Sequence, residues 1–481
     1  MDTKILGRDR EIFIFDKILN SSEPRFLAMY GRRRVGKTFL IREHFKQYIQ
    51  FAFTGSFEES TKNQLGNFFR EYIWRTKGNK ETSKPINWNT AFAYLADYLY
   101  TLESRKKKTV VFIDELPWLD RPKSGFITAL EYFWNQHVSQ MDHVILIVCG
   151  SAASWMQRKL IKSKGGLHNR ITDRIKLEPF TLQETEALLK HKKIKLSRYH
   201  IIQLYMVMGG IPFYLNELTT GKSAEQLIND LCFRPTALLS NEYEQLYYSL
   251  FKNADKHIRI IEALAASPNG MNRAMLIKKS KLGEGGILTR ALSDLFESGF
   301  IVKQLPFNKK KKDTIYKLID LYSLFYIKFI KGNITTDKNR WQKIANTSSF
   351  KAWSGYAYEN ICILHSEQIL HKLGLRGTYT EISSWRYAGN KELPGTQIDM
   401  LINRKDGLVN LCEAKYSEKE FIITKEYSSK LRQRRAIFEH ISKTKKAVVT
   451  TLISTFPAIR NEYYFEEINS EVVMEDLFVK L

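Results

Sequence analysis

Two groups of residues in this chain have the types and spacing to do chemistry on phosphates. The first is Gly31-Arg32-Arg33-Arg34-Val35-Gly36-Lys37-Thr38, which fits G-x-x-x-x-G-K-[ST]. Glycines let a backbone wrap a polyphosphate, and amide N–H groups at a helix start meet its charge. Lys37 would reach the β- and γ-phosphates and the Thr38 hydroxyl would bind Mg²⁺, with Phe39 opening the helix. Downstream, Val110-Val111-Phe112-Ile113-Asp114-Glu115 is an apolar run ending in two carboxylates. Asp114 at the end of a buried strand can hold the same Mg²⁺, and Glu115 is placed to polarise an attacking water. A third run ends in Cys149-Gly150-Ser151, where Ser151 would sense the γ-phosphate. Arg170 and Arg174 could supply charge to a transition state. Together these residues predict ATP with Mg²⁺ as the ligand and hydrolysis as the reaction.

The second group lies near the other end. Glu359 falls in an amphipathic helical pattern, Asp399 inside the strand pattern Gln397–Ile402, and Glu413 and Lys415 in Leu408–Lys415, after the turn Arg404-Lys405-Asp406-Gly407. A hairpin across that turn places Asp399 beside Glu413, and the period of two puts Lys415 on the face of Glu413. Glu359, Asp399 and Glu413 would hold Mg²⁺ or Mn²⁺. The metal with Lys415 would activate water for attack on a phosphodiester.

The elements that must position these groups follow from the apolar pattern. Phe26–Tyr30, Val110–Ile113 and Val144–Val148 are continuous apolar runs, suited to strands of a parallel sheet buried on both faces. The fold class expected is therefore α/β, and four regions follow along the chain. Residues 1–180 are a nucleotide-binding core. Residues 181–245 are a helical lid broken at Gly209-Gly210-Ile211-Pro212. Residues 246–335 read as three helices and a two-stranded hairpin around the basic turn Asn308–Asp313, the order of a winged helix-turn-helix. After a polar linker, Thr335–Ser349, residues 345–481 form a second α/β unit. Thr289, Arg290 and Ser293 face away from the apolar stripe of the third helix, and Lys309–Lys312 would sit on the wing, near a nucleic-acid backbone. Lys425, Lys430, Arg432, Arg434 and Arg435 form a basic helical stretch that could track a backbone or simply face solvent.

These motifs, with Ile5-Leu6-Gly7-Arg8-Asp9-Arg10-Glu11 and Gly209-Gly210-Ile211-Pro212-Phe213, occur in an order that resembles the archaeal and bacterial STAND-type AAA+ ATPases. The resemblance implies that Gly7, Arg8 and Pro212 surround the adenine and ribose, and that a winged helix and a C-terminal restriction-endonuclease-like domain follow. Glu359, Asp399, Glu413 and Lys415 are likewise similar to the PD-(D/E)xK nuclease pattern. The implied function is an ATP-driven switch controlling a DNA nuclease, with an association to defence against foreign DNA. The alternative is an ATP-gated binding module whose nuclease fold is silent.

Composition bounds these readings. With 481 residues, 43% of them apolar, the chain can build several cores and is neither disordered nor fibrous. Lys and Arg number 75 against 51 Asp and Glu, a net +24, which favours a polyanionic partner: DNA, with RNA left open. The strongest apolar run, Val144–Val148, is far too short to span a bilayer, and Met1-Asp2-Thr3-Lys4 begins no signal core. Four cysteines without a C-x-x-C pair fit a reducing cytoplasm. Assembly state and any activating ligand stay open.

Overall fold

The computed structural model describes residues 5–77, 83–102, 107–162, 167, 169–234, 236–332, 340–378 and 380–481. They divide into two compact units, Met1–Glu178 and Pro179–Leu481.

The first unit is built on a five-stranded sheet of β1 (Arg25–Tyr30), β2 (Ile49–Thr54), β3 (Thr109–Asp114), β4 (Val144–Gly150) and β5 (Asp173–Lys176), in the order β2-β3-β4-β1-β5. Every pairing is parallel, and β4 stands between the strand that leads into the glycine loop and the strand that ends at Asp114. The apolar runs are explained by this position. Phe26, Ala28, Phe51, Val111, Ile113, Leu146 and Val148 are buried with the helices Thr61–Thr76, Trp88–Leu102 and Phe126–Gln136. Phe15 and Phe45, 4.9 Å apart, belong to the helices Asp9–Leu19 and the chain just after Lys37–His44. Strands parallel to one another need crossover connections, and the helices supply them.

The second unit opens with helices at Leu182–His191, Arg198–Met208, Pro212–Asn216, Ala224–Cys232 and Leu238–Leu250. The interruption at Gly209-Gly210 has a steric cause: a β-carbon on Gly210 would lie 1.8 Å from the Phe180 carbonyl oxygen. Three helices follow, Asp255–Ala265, Arg273–Ser280 and Gly286–Glu297, and then the antiparallel pair β6 (Ile301–Gln304) and β7 (Ile315–Leu318). A bridge from Met271 to Tyr316 adds a third short segment to that hairpin. Where a polar linker was expected, 335–339 lie outside the described residues. The rest is helical, Arg340–Ala345 and Ser348–Leu364, because Trp341, Ile344, Phe350 and Trp353 are buried side chains spaced to line helix faces.

The last sheet is mixed and has the order β12-β11-β10-β9-β8, formed by β8 (Thr380–Tyr387), β9 (Thr396–Arg404), β10 (Leu408–Lys415), β11 (Ala447–Ser454) and β12 (Ser470–Val473). β8, β9 and β10 are antiparallel, whereas β11 joins β10 in parallel through the crossover helix Lys425–Ser442 and β12 joins β11 in parallel through the helix Glu462–Glu467. Val409, Leu411, Ile437 and Phe438 are packed between that helix and the sheet, and Phe307 from the basic hairpin turn joins the same cluster. No helix among the described residues is long and apolar enough to cross a membrane.

Candidate nucleotide site and acidic cavity

The glycine loop leaves β1 at its carboxyl end and closes on the helix Lys37–His44. Its path needs left-handed backbone at Arg34 (φ 71°) and Gly36 (φ 93°), and a β-carbon on Gly31 would meet the Leu177 carbonyl oxygen at 2.3 Å. Lys37 is buried, and its ammonium donates to the carbonyls of Gly31 (2.9 Å) and Arg32 (2.8 Å). Curled over the loop in this way, the ammonium is held where a phosphate would arrive. The Thr38 hydroxyl donates to Asp114 at 2.7 Å, so both Mg²⁺ oxygen donors expected from the sequence meet at one point. Those hard oxygens fit a divalent cation bound beside phosphates.

Glu115 follows in left-handed backbone, φ 46° and ψ 45°, a conformation that costs energy for a residue with a side chain and is common at functional sites. Its carboxylate accepts from the Ser151 hydroxyl at 2.8 Å and from the Ser151 amide at 3.2 Å. Ser151 thus orients Glu115 from the neighbouring strand end. Arg8, buried and itself at φ 63°, donates to the Val35 carbonyl at 3.1 Å and so braces the loop. Gly7 lies beside it in the chain. Of the remaining loop residues, Val35 and Arg32 are buried, while Arg33 and Phe39 are exposed.

The two arginines stand elsewhere. Thr172 bonds to Phe26 near the start of β1, so Arg170, two residues earlier, lies at the edge of the sheet opposite the glycine loop. Arg174 is exposed on the edge strand β5, level with Ala28 rather than with the loop. The structure does not bring either to the loop. Pro212 belongs to the second unit, where it opens its short helix at the first turn.

Residues 5–218 match the family model of an ATPase domain predominantly from Archaea. This stretch of the chain is similar to an ATPase domain. A relative of similar extent is an uncharacterized protein, MJECL04, of Methanocaldococcus jannaschii, 23% identical over 420 residues, 86% of this chain and 88% of that protein. Among solved structures, the Walker-type ATPase paby2304 of Pyrococcus abyssi is similar at 16% identity over 67% of this chain and 96% of that one, with a TM-score of 0.47. The ORC2 protein of Aeropyrum pernix is similar at 14% identity over 72% of this chain and 98% of its own, with a TM-score of 0.40.

The second cluster sits in the last sheet. The β9–β10 register pairs Cys412 with Met400, the neighbours in sequence of Glu413 and Asp399. Glu359, Asp399, Glu413 and Lys415 all line one cavity of about 370 Å³, together with Asn269 and Arg434. Each acid is engaged. Glu413 accepts from Tyr427 and Arg434 of the crossover helix and pairs with Lys415 at 2.9 Å. Asp399 accepts from Gln397, and Glu359 pairs with Lys317 of β7 at 3.5 Å.

The electrostatics separate the acids. Burial, and then the negative charge of Asp399, push the Glu359 carboxyl up to about 7. Burial alone would raise Glu413 too, but Lys415, Arg434 and the Tyr427 hydroxyl overcome it and hold that carboxyl below its usual range. The donors are hard oxygens of the kind that bind Mg²⁺ or Mn²⁺. Their arrangement does not fit one. Among the described residues, no three His, Cys, Asp or Glu side chains are grouped to hold a metal ion. The metal shell expected of Glu359, Asp399 and Glu413 is not assembled here: Lys317 pairs with Glu359, Lys415 and Arg434 pair with Glu413, and the Gln397 amide donates to Asp399.

The basic helical stretch is corrected in part. Arg432 and Arg435 pair with the buried Glu467, and Arg434 turns in to Glu413, leaving Lys425 and Lys430 exposed. On the three-helix unit, Thr289 and Arg290 are exposed and Ser293 is half-buried. Thr289 accepts from Arg273 at 2.9 Å. Lys309–Lys312 are exposed. The residues that sequence reasoning missed are Lys317, Tyr427 and the inward role of Arg434. Only the helical register of Tyr427 and Arg434, seven apart, hinted that they share a face.

Proposed function

We propose that this chain is an ATP-hydrolysing, Mg²⁺-dependent switch joined to a PD-(D/E)xK-type nuclease domain acting on DNA, in a cytoplasmic setting. The observation that carries the first half is the pairing of Thr38 with Asp114 beside a Glu115 held by Ser151. In this reading, loop amides and Lys37 bind the β- and γ-phosphates. Thr38 and Asp114 hold Mg²⁺, which would neutralise charge developing on the phosphates. Glu115, fixed by Ser151, orients the attacking water and takes up its proton. Arg8 and Gly7 belong to the nucleoside end.

For the C-terminal half, the support is that Glu359, Asp399, Glu413 and Lys415 converge on one cavity in a sheet whose β10 and β11 are parallel across a helix. The three-helix and hairpin region is read as a winged helix that meets duplex DNA through Arg290 and the exposed lysines 309–312. The four-part division at 180, 245 and 335–345 is kept within this proposal, as is a role in defence against foreign DNA. A second reading is favoured by one observation, the engagement of Glu413 by Arg434, Tyr427 and Lys415. It makes the domain a silent binding module gated by ATP.

One experiment tests the reading: supercoiled plasmid and linear duplex are incubated with Mn²⁺, with and without ATP, for the wild type and for Lys37→Ala and Lys415→Ala. Cutting that is lost in Lys415→Ala and altered in Lys37→Ala supports the switch-and-nuclease reading. ATP turnover with no cutting under any condition favours the silent module. Glu115→Gln should keep ATP binding and abolish turnover. If turnover persists, Glu115 is not the base.

A further inference from the structure

The acidic cavity holds three carboxylates, Glu359, Asp399 and Glu413, and against them stand three protein cations, Lys317, Lys415 and Arg434. With all three acids ionised, the charge at the site is balanced by the chain itself. Adding a divalent cation would leave an uncompensated excess in a poorly solvated space, where like charges repel strongly. Two of the cations stand within the last domain, Lys415 on β10 and Arg434 on the crossover helix. Lys317 does not.

Lys317 comes from β7 of the hairpin, is 3% exposed, and points its ammonium at Glu359. The same hairpin is tied to the last domain at other points. The Asn360 side-chain amide donates to the Leu318 carbonyl at 3.0 Å, Phe307 packs on Phe438 with ring centres 5.4 Å apart, and the Phe307 amide donates to Ser384 at 3.0 Å. Asn269, from the turn before Arg273–Ser280, lines the cavity as well. A buried lysine is expensive unless it is paired. Here the pairing uses up an acid that the nuclease reading needs.

We propose that Lys317 and Arg434 act as resident counter-ions that keep the acidic cavity closed to divalent metal, with the β6–β7 hairpin as the latch. The proposal rests on the nuclease-type reading of the cavity and adds its regulation. Displacement of the hairpin, which also carries the exposed lysines 309–312, withdraws Lys317 from Glu359 and frees that acid. A polyanion drawing on those lysines is the chemical class of trigger that fits. Lys317 is a positioning residue in this scheme, since it acts through Glu359.

The test is Mn²⁺ binding by the full chain without nucleotide, followed by calorimetry and by the electron paramagnetic resonance of free Mn²⁺. The proteins are the wild type, Lys317→Met, Lys317→Gln, Arg434→Met, and each of these with Asp399→Asn. Circular dichroism verifies that each is folded, and the Asp399-dependent component isolates the cavity from the ATPase site. The latch predicts that Lys317→Met and Arg434→Met each tighten that component by at least about tenfold, the effect of removing one nearby positive charge. Lys317→Gln should do the same. If the wild type shows an Asp399-dependent site and the variants bind no more tightly, the latch is overturned while the metal-site reading stands. If no protein shows an Asp399-dependent component, both the latch and the metal-site reading fail.

Discussion

At the scale of single residues, what separates hydrolysis from mere binding is the orientation of one carboxylate. Glu115 sits in strained left-handed backbone and is held by both the hydroxyl and the amide of Ser151, which arrives from β4. Ser151→Ala keeps the amide contact and loses the hydroxyl. We expect kcat for ATP to fall about tenfold with little change in KM, since the hydroxyl acts on the water's orientation rather than on ATP binding. Steady-state hydrolysis measures both parameters. A rise in KM at constant kcat would instead place Ser151 in nucleotide binding. The glycine loop from Gly31 to Thr38 and the helix it opens were legible without any structure, because residue type and spacing carry them. Ser151 was legible as a polar residue at a strand end, but its partner was not, since nothing in the sequence says which strands are neighbours.

At the scale of elements, contacts inside the second unit turn on a buried imidazole. His365, 1% exposed, accepts from the Leu182 amide at 2.9 Å through Nε2, and Nδ1 lies 2.9 Å from the Ile361 carbonyl. A neutral ring with its proton on Nδ1 satisfies both contacts. Burial lowers its pKa from 6.5 to about 4, only partly offset by the Ile361 carbonyl. Between those values the unfolded chain binds a proton that the folded chain does not. Stability from this group is therefore present above about pH 6.5 and lost as the pH falls towards 4, by up to about 3 kcal/mol. Chemical denaturation of the wild type and of His365→Gln across this range checks the point. The variant should show a flatter acid limb, and parallel limbs would assign the acid sensitivity to other groups. The helices themselves were readable from apolar spacing. That one helix start would bond to a histidine 183 residues away was not.

For the whole molecule, the net charge of +24 is the broadest feature, and it is unevenly free. Arg432, Arg434 and Arg435 are spent on Glu466, Glu467 and Glu413, whereas Lys309–Lys312 remain exposed. Under the proposed DNA-binding reading, duplex affinity should therefore depend on lysines 309–312 of the hairpin turn more than on the crossover helix. Replacing all four lysines by alanine should flatten the dependence of log K on log salt by about 3 to 4, at roughly 0.9 per phosphate contact. Alanine at Lys425 and Lys430 should change it less. Fluorescence anisotropy on a short duplex over a salt series distinguishes the two. An unchanged slope in the four-lysine variant would rule out lysines 309–312 as the proposed DNA contact.

Local chemistry and periodicity in the sequence determined much of this protein. The phosphate loop, Asp114 and Glu115, the buried parallel strands and the β9–β10 hairpin all follow from patterns within about twenty residues. So does the approach of Asp399 and Glu413 to one cavity, because a short turn brings the two strands of a hairpin together. Only the tertiary structure decided what surrounds those acids. Lys317 lies 42 residues from Glu359 in the chain, and Arg434 lies 21 from Glu413. Sequence marks a lysine or arginine as a charge without saying whether it meets solvent, DNA or a carboxylate. Packing made that choice by burying these cations against the acids, where leaving either partner alone would cost far more than pairing them.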